Sequence, residues 1–316
     1  MILNILYTVR AGDTLYTIGR KLGSSPAAIM AANRLASTVI TPGQRLTVPV
    51  APLPQGVFGP GSRGEGVRAL QQALIRMGFS LAPTGFYDTD TAFIVASIQK
   101  KYPELLEIDG FYGPKTRAVL QKLIDEGYSI VENPSSILVL VNKRRALPPS
   151  YVPENLVYPV FPSGEDFIMR EDAAKAIREL YNAAAADNIS LFGVSGYRSY
   201  NRQADFFASR IRQNPDANRT TARPGESEHQ TGLTADISSP SVNYALDESF
   251  AQSDAGRWLR ENAPNSGFII RYPRGKENIT GYAYEPWHMR YVGKQAAQNI
   301  ASRAITLEEY LGTAEQ

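Results

Sequence analysis

The chain has no cysteine. That excludes a disulfide framework, a Cys-ligated zinc finger and thiol catalysis. Histidine is nearly absent too: 316 residues hold two, His229 and His288. No apolar run is long enough to cross a bilayer, so no membrane span is expected. The opening, Met1 to Asp13, lacks the basic start, apolar stretch and small-residue cleavage site of a signal peptide, which leaves the export route open. Residues 1–50, the basic end, hold no Lys/Arg cluster of the kind that tracks phosphates, so nucleic acid is not an expected partner.

What is present is the composition of a soluble globular protein, 43% apolar and 20% charged, long enough for more than one domain. The formal net charge of +2 is unevenly spread. Residues 1–50 carry five basic and one acidic side chain, whereas everything after residue 127 carries twenty and twenty-two. A mildly basic front end suits an anionic polymer such as a cell wall.

Three blocks are separated by Pro- and Ser-containing joints, giving expected domains at 5–50, 57–127 and 135–316. The first reads strand, helix, helix, strand. A short strand covers Tyr7 to Val9, Asp13 is a candidate N-cap, and Leu15, Ile18 and Leu22 recur at helical spacing. A second helix runs from Pro26 to about Asn33, and Leu46 to Val48 close the block as a strand. The residues VRAGDTLYTIG, Asn33 and ITPGQRLTVP closely resemble a LysM module. That resemblance implies a βααβ fold that binds N-acetylglucosamine-containing glycans, chiefly peptidoglycan or chitin.

The second block holds three helical patterns, the first with Val67, Leu70, Leu74 and Met77 on one face. Two turns, TGFYDTDT at Thr84–Thr91 and DGFYGPKT at Asp109–Thr116, repeat one scheme. They make the block similar to the three-helix peptidoglycan-binding domain of wall hydrolases.

The third block mixes helices and strands in an α+β order, with a buried strand expected at its start, from about Ile137. Its chemistry is narrowed by the shortage of donors. A catalytic zinc takes three ligands from His, Asp, Glu or Cys and keeps a position for water. The available set is both histidines and one carboxylate. Asp236 follows His229 by seven residues, a turn leading into a strand, and His288 can close the set from a second strand. Glu285, three residues before His288, is placed to act as base. Arg198, in a Gly-containing loop at a strand end, can stabilise an oxyanion or hold a substrate carboxylate. Taken singly, each residue also reads blandly, as a solvated turn histidine or an aromatic strand edge, and spacing alone leaves both readings open.

SEHQTGLTADI and EPWHMRYVG, preceded by SGYRSYNRQ and LVNK, resemble the VanY-type D-alanyl-D-alanine carboxypeptidases. That resemblance covers about residues 137–296 and implies Zn2+ held by His229, Asp236 and His288, with Glu285 as base and Arg198 as the strand-end arginine. It sets Ser227, Gln203, Tyr282 and Tyr284 near the peptide pocket. Thr234, where the family pattern leads one to expect Ala, is a small departure. The implied protein is multidomain α+β, with an antiparallel-rich sheet in the peptidase. It trims a terminal D-alanine from peptidoglycan stems while two modules hold it to the wall, in a cell-wall or extracellular setting. Three alternatives stay open: removal of D-alanine across an L,D bond, endopeptidase cleavage, and an inert wall-binding protein. A pocket closed by a cation for the substrate carboxylate would argue against the endopeptidase; Arg198 and Arg223 are the candidates for it, and sequence does not place them.

Overall fold

A computed structural model describes residues 3–164 and 167–313, so the last three residues of the expected third domain lie outside the described residues. The chain divides into two compact units, Met1–Ile130 and Val131–Gln316.

The first unit opens with β1 (Leu3–Thr8), α1 (Leu15–Leu22), α2 (Pro26–Asn33) and β2 (Arg45–Val50). β1 and β2 pair antiparallel from Leu3 opposite Val50 to Thr8 opposite Arg45. Alternation in β2 buries Leu46, Val48 and Val50 against Leu15, Ile18, Leu22 and Ile29. The cap of α1 is Thr14 rather than the expected Asp13. Thr14 and Thr17 cap each other's backbone N–H reciprocally, at 3.1 and 2.9 Å. Asp13 instead accepts the Arg10 N–H and the Tyr7 hydroxyl, both at 2.7 Å. Asn33 ties α2 to β2, accepting the Thr47 N–H at 2.7 Å and donating to the Ile29 and Thr47 carbonyls.

Helices α3 (Glu65–Arg76), α4 (Thr89–Lys101) and α5 (Pro114–Asp125) follow, with β3 (Ser129–Ile130) closing the unit. The two similar turns are each held by a buried glutamine. Gln71 donates to the Phe86 carbonyl and accepts the Gly85 N–H, both at 2.8 Å. Gln99 donates to Phe111 at 3.0 Å and accepts the Gly110 N–H at 2.8 Å. Gln99→Ala leaves those backbone groups unpaired, so it is expected to lower the unfolding free energy by about 1–3 kcal/mol, read from denaturant titration.

In the second unit, β4 (Arg145–Ala146) precedes a hairpin of β5 (Leu156–Val157) and β6 (Met169–Arg170), then α6 (Glu171–Ala186). The main sheet has the order β7-β8-β10-β9 with antiparallel neighbours: β7 (Phe192–Ser195), β8 (Thr234–Ser238), β9 (Phe268–Tyr272) and β10 (Glu285–Tyr291). Helices α7 (Tyr200–Gln213), α8 (Asp254–Asn262), α9 (Glu277–Thr280), α10 (Lys294–Arg303) and α11 (Leu307–Tyr310) complete it. Ala173, Ile177 and Leu180 of α6 share one core with Ala235, Ile237 and Met289 of the sheet. Since neighbouring strand residues point to opposite faces, Asp236 and His288 project from the other face.

The buried strand expected from Ile137 is not formed. Val139, Leu140 and Val141 are buried, but residues 137–142 have no strand neighbour. The Ile137 and Val139 carbonyls accept instead from the Arg290 guanidinium, at 2.9 and 2.8 Å. A side-chain cation replaces the missing ladder.

Candidate metal and active site

Register brings the first two donors together: His288 of β10 lies directly opposite Asp236 of β8. His229 arrives from a 3-10 turn, Glu228–Thr231, capped by Gly232 at φ 69°, which turns the chain into β8. His229 Nε2 lies 3.2 Å from Asp236 Oδ2, and His288 Nδ1 lies 3.2 Å from Asp236 Oδ1. The imidazoles stand nearly perpendicular, 5.1 Å apart. One donor atom from each residue falls within 4.8 Å of the other two, and all three side chains are buried.

A divalent cation fits this set. Asp236 Oδ1 is buried with no hydrogen-bond partner among the described residues, so it needs one. His229 donates its Nδ1–H to the Gly196 carbonyl at 2.6 Å, leaving the Nε2 lone pair turned toward Asp236. Two imidazoles and a carboxylate are donors that zinc accepts. Without a cation, the carboxylates act on the histidines. Burial opposes protonation of His288, but Asp236, Glu228 and Glu285 outweigh it and raise its pKa to about 9. Burial wins at His229 and lowers its pKa, against the pull of Asp236.

In a regular strand, residues three apart face opposite sides. Glu285 nevertheless lies 3.5 Å from His288 Nδ1. The cause is an irregularity in β10: Glu285 pairs with Tyr272 and Met289 with Ile270, so four steps of β10 match two of β9. Burial, reinforced by Asp236 and opposed by His288 and Arg198, raises the Glu285 pKa to about 7.

Arg198 follows β7 and donates to Gln203 Oε1 at 2.8 Å and Ser195 Oγ at 3.0 Å. Gln203, itself buried, donates its amide to the Ala222 carbonyl at 2.6 Å. The Arg198 side chain is thereby fixed beside the cavity. Burial lowers its pKa, while Asp236 and Glu285 counter that. A cavity of about 420 Å3 is lined by Arg198, Gln203, Ser227, Tyr282, Glu285 and the three donors.

Tyr284 does not line that cavity. It faces a second one, with Arg219, Glu248 and Arg274, where the Arg274 guanidinium sits 4.5 Å from its ring. The segment before β10 is irregular, with the Ala283 N–H donated to the Arg219 carbonyl; Tyr282 lines both cavities, whereas Tyr284 lines the second and not the first. Arg223 packs its guanidinium over Phe207 at 4.7 Å and does not line the first cavity. Sequence reasoning passed over Gly196, Tyr272 and Glu228. Tyr272 packs its ring 4.8 Å from His288. Only Glu228 offered a signal, as a charge beside His229 in an otherwise uncharged turn.

Residues 166–294 match the family VanY, "D-alanyl-D-alanine carboxypeptidase". Residues 7–49 match the LysM domain, and 63–120 match a "Putative peptidoglycan binding domain". The chain is 48% identical over 192 residues to "Putative carboxypeptidase YodJ" of Bacillus subtilis (strain 168), spanning 58% of this chain and 70% of that one. It is 36% identical to the bifunctional D-Ala-D-Ala dipeptidase and carboxypeptidase VanXYC of Enterococcus gallinarum, over 55% of this chain and 92% of that one. Among solved structures it is similar to the LdcB LD-carboxypeptidase. Identity there is 45% and the TM-score 0.57, covering 60% of this chain and 92% of that chain.

Proposed function

Because this chain belongs to the VanY family of D-alanyl-D-alanine carboxypeptidases, we propose that it removes the terminal D-alanine from peptidoglycan stem peptides in a zinc-dependent hydrolysis. The observation that carries the reading is the buried His229–Asp236–His288 set at a cavity wall, with Glu285 beside it. His229, Asp236 and His288 hold the metal. When bound, zinc polarises the scissile carbonyl and activates water for attack. Glu285 takes the water proton and delivers it to the leaving amine. Arg198, held by Gln203 and Ser195, stabilises the developing oxyanion. Water oxygen bonds to the carbonyl carbon, the C–N bond breaks, and D-alanine leaves as a free amine. Ser227 and Tyr282 line the substrate side.

The LysM and peptidoglycan-binding domains associate the chain with the cell wall. Tethering there raises local substrate concentration without new contacts at the site. No described helix is long and apolar enough to cross a membrane. We place the enzyme's work on the extracellular wall.

Mass spectrometry of digests tests the activity. Pentapeptide stems given to the zinc-loaded protein are expected to lose one D-alanine. Loss from tetrapeptide stems alone would instead identify an L,D-carboxypeptidase, the activity named for LdcB. An internal cut would make it an endopeptidase, and no product would favour an inert wall binder.

Gly196 gives a second check. A Cβ there would lie 2.3 Å from the Ile168 carbonyl oxygen, so Gly196→Ala must move the backbone that orients His229. Its zinc affinity, measured by chelator competition, is expected to fall by roughly tenfold or more.

A further inference from the structure

We infer that Glu228 is a positioning residue of the metal centre, accepting the Nε2–H of His288 and so committing that ring to bind metal through Nδ1. The inference rests on the reading of His229, Asp236 and His288 as zinc ligands. Glu228 is 0% exposed. Its Oε1 accepts from Arg271 Nε at 2.8 Å and Arg290 Nη1 at 2.6 Å. Its Oε2 has no hydrogen-bond partner among the described residues, and neither does His288 Nε2. These two buried atoms face one another at 3.9 Å. Leaving both unmade is costly, and a closure of about 1 Å makes the bond.

The carboxylate is not free to turn elsewhere. Arg271 is also gripped by Glu308 of α11, at 2.9 and 2.7 Å, and Arg290 donates to the Ile137 and Val139 carbonyls. Two guanidiniums on Oε1 compensate the buried carboxylate, which leaves Oε2 as an acceptor. The two histidines are therefore anchored through opposite nitrogens. His229 donates from Nδ1 to Gly196 and offers Nε2, whereas His288 donates from Nε2 to Glu228 and offers Nδ1. Glu228→Gln disrupts this selectively. Arg271 and Arg290 require an oxygen on their side, which turns the amide nitrogen, a donor, toward the His288 N–H.

Two histidines make the test direct, because 15N-histidine labelling yields two imidazoles. In the zinc-loaded full chain, long-range 1H–15N correlations are expected to show one ring bound through Nε2 and the other through Nδ1. The Nδ1-bound ring should retain a slowly exchanging Nε2–H. Glu228→Gln should lose that protected proton and bind zinc roughly 10–100-fold more weakly. Glu308→Gln disturbs the same ion cluster without facing His288, so it should lower stability yet keep both signals. Both rings bound through Nε2 in the wild-type protein would overturn the inference, and this arm holds if Glu228→Gln fails to fold. Unchanged zinc affinity and an unchanged His288 signal in Glu228→Gln would overturn it too. A wild-type protein that binds no zinc would instead overturn the ligand reading, and the inference with it.

Discussion

Glu285→Gln is expected to lower kcat by roughly 10²–10⁴-fold while leaving zinc content and folding intact. The substitution keeps the size and polarity of the side chain but removes its capacity to take a proton. No donor atom of the metal set is touched, so zinc stoichiometry should stay at one per chain. The pH profile gives an independent readout. Glu285 must be deprotonated to act as base, and its pKa without metal is about 7. A cation beside it favours the charged form, so the wild-type acidic limb should fall at or below that value. Activity rises through this limb as pH increases, and Glu285→Gln should lose it. A variant within a few-fold of wild-type kcat would remove Glu285 from the base role.

Asp236→Ala is expected to abolish stoichiometric zinc binding and, with it, detectable turnover. Asp236 contacts both histidines at 3.2 Å, so its loss removes one donor and the charge that offsets the cation. Isothermal titration with zinc reads this directly. The same titration across pH tests the electrostatics of the wild-type site. In the metal-free fold His288 is protonated below a pKa of about 9, and zinc must displace that proton to use the ring. Apparent affinity should therefore rise with pH, by about tenfold per unit between pH 7 and 9, and then level off. The linked stability runs in the opposite sense. The raised His288 pKa stabilises the metal-free fold fully below its ordinary value of 6.5, and this contribution fades as pH rises through about 9. A flat affinity profile would show that His288 carries no proton to displace.

The helices were the most legible part of the fold, because their signals are local. Leu15, Ile18 and Leu22 mark α1, and Pro26 at the head of α2 sits where its missing N–H costs nothing. Even so, the cap of α1 fell to Thr14. A reciprocal pair with Thr17 outcompetes a lone carboxylate already engaged by Tyr7 and Arg10. The apolar run after Ile137 misled for a related reason. It is buried as its composition requires, yet its carbonyls are satisfied by Arg290, some 150 residues away in the sequence.

By itself, the sequence determined the chemistry available: no cysteine, two histidines, and an aspartate and a glutamate close to them in the chain, at spacings that allow a metal site without requiring one. It also determined the modular order, through turn and helix signals carried by short segments. The tertiary structure alone decided which side chains meet. Asp236 faces His288 because of the β8–β10 register, and Glu285 joins them because β10 is irregular against β9. Tyr284 lies outside the first cavity, in the irregular chain before β10 beside Arg219. Glu228 is held at the back of His288 by arginines from two different strands. Strand register, bulges and buried ion clusters are set by pairing between distant segments, and no local propensity encodes them.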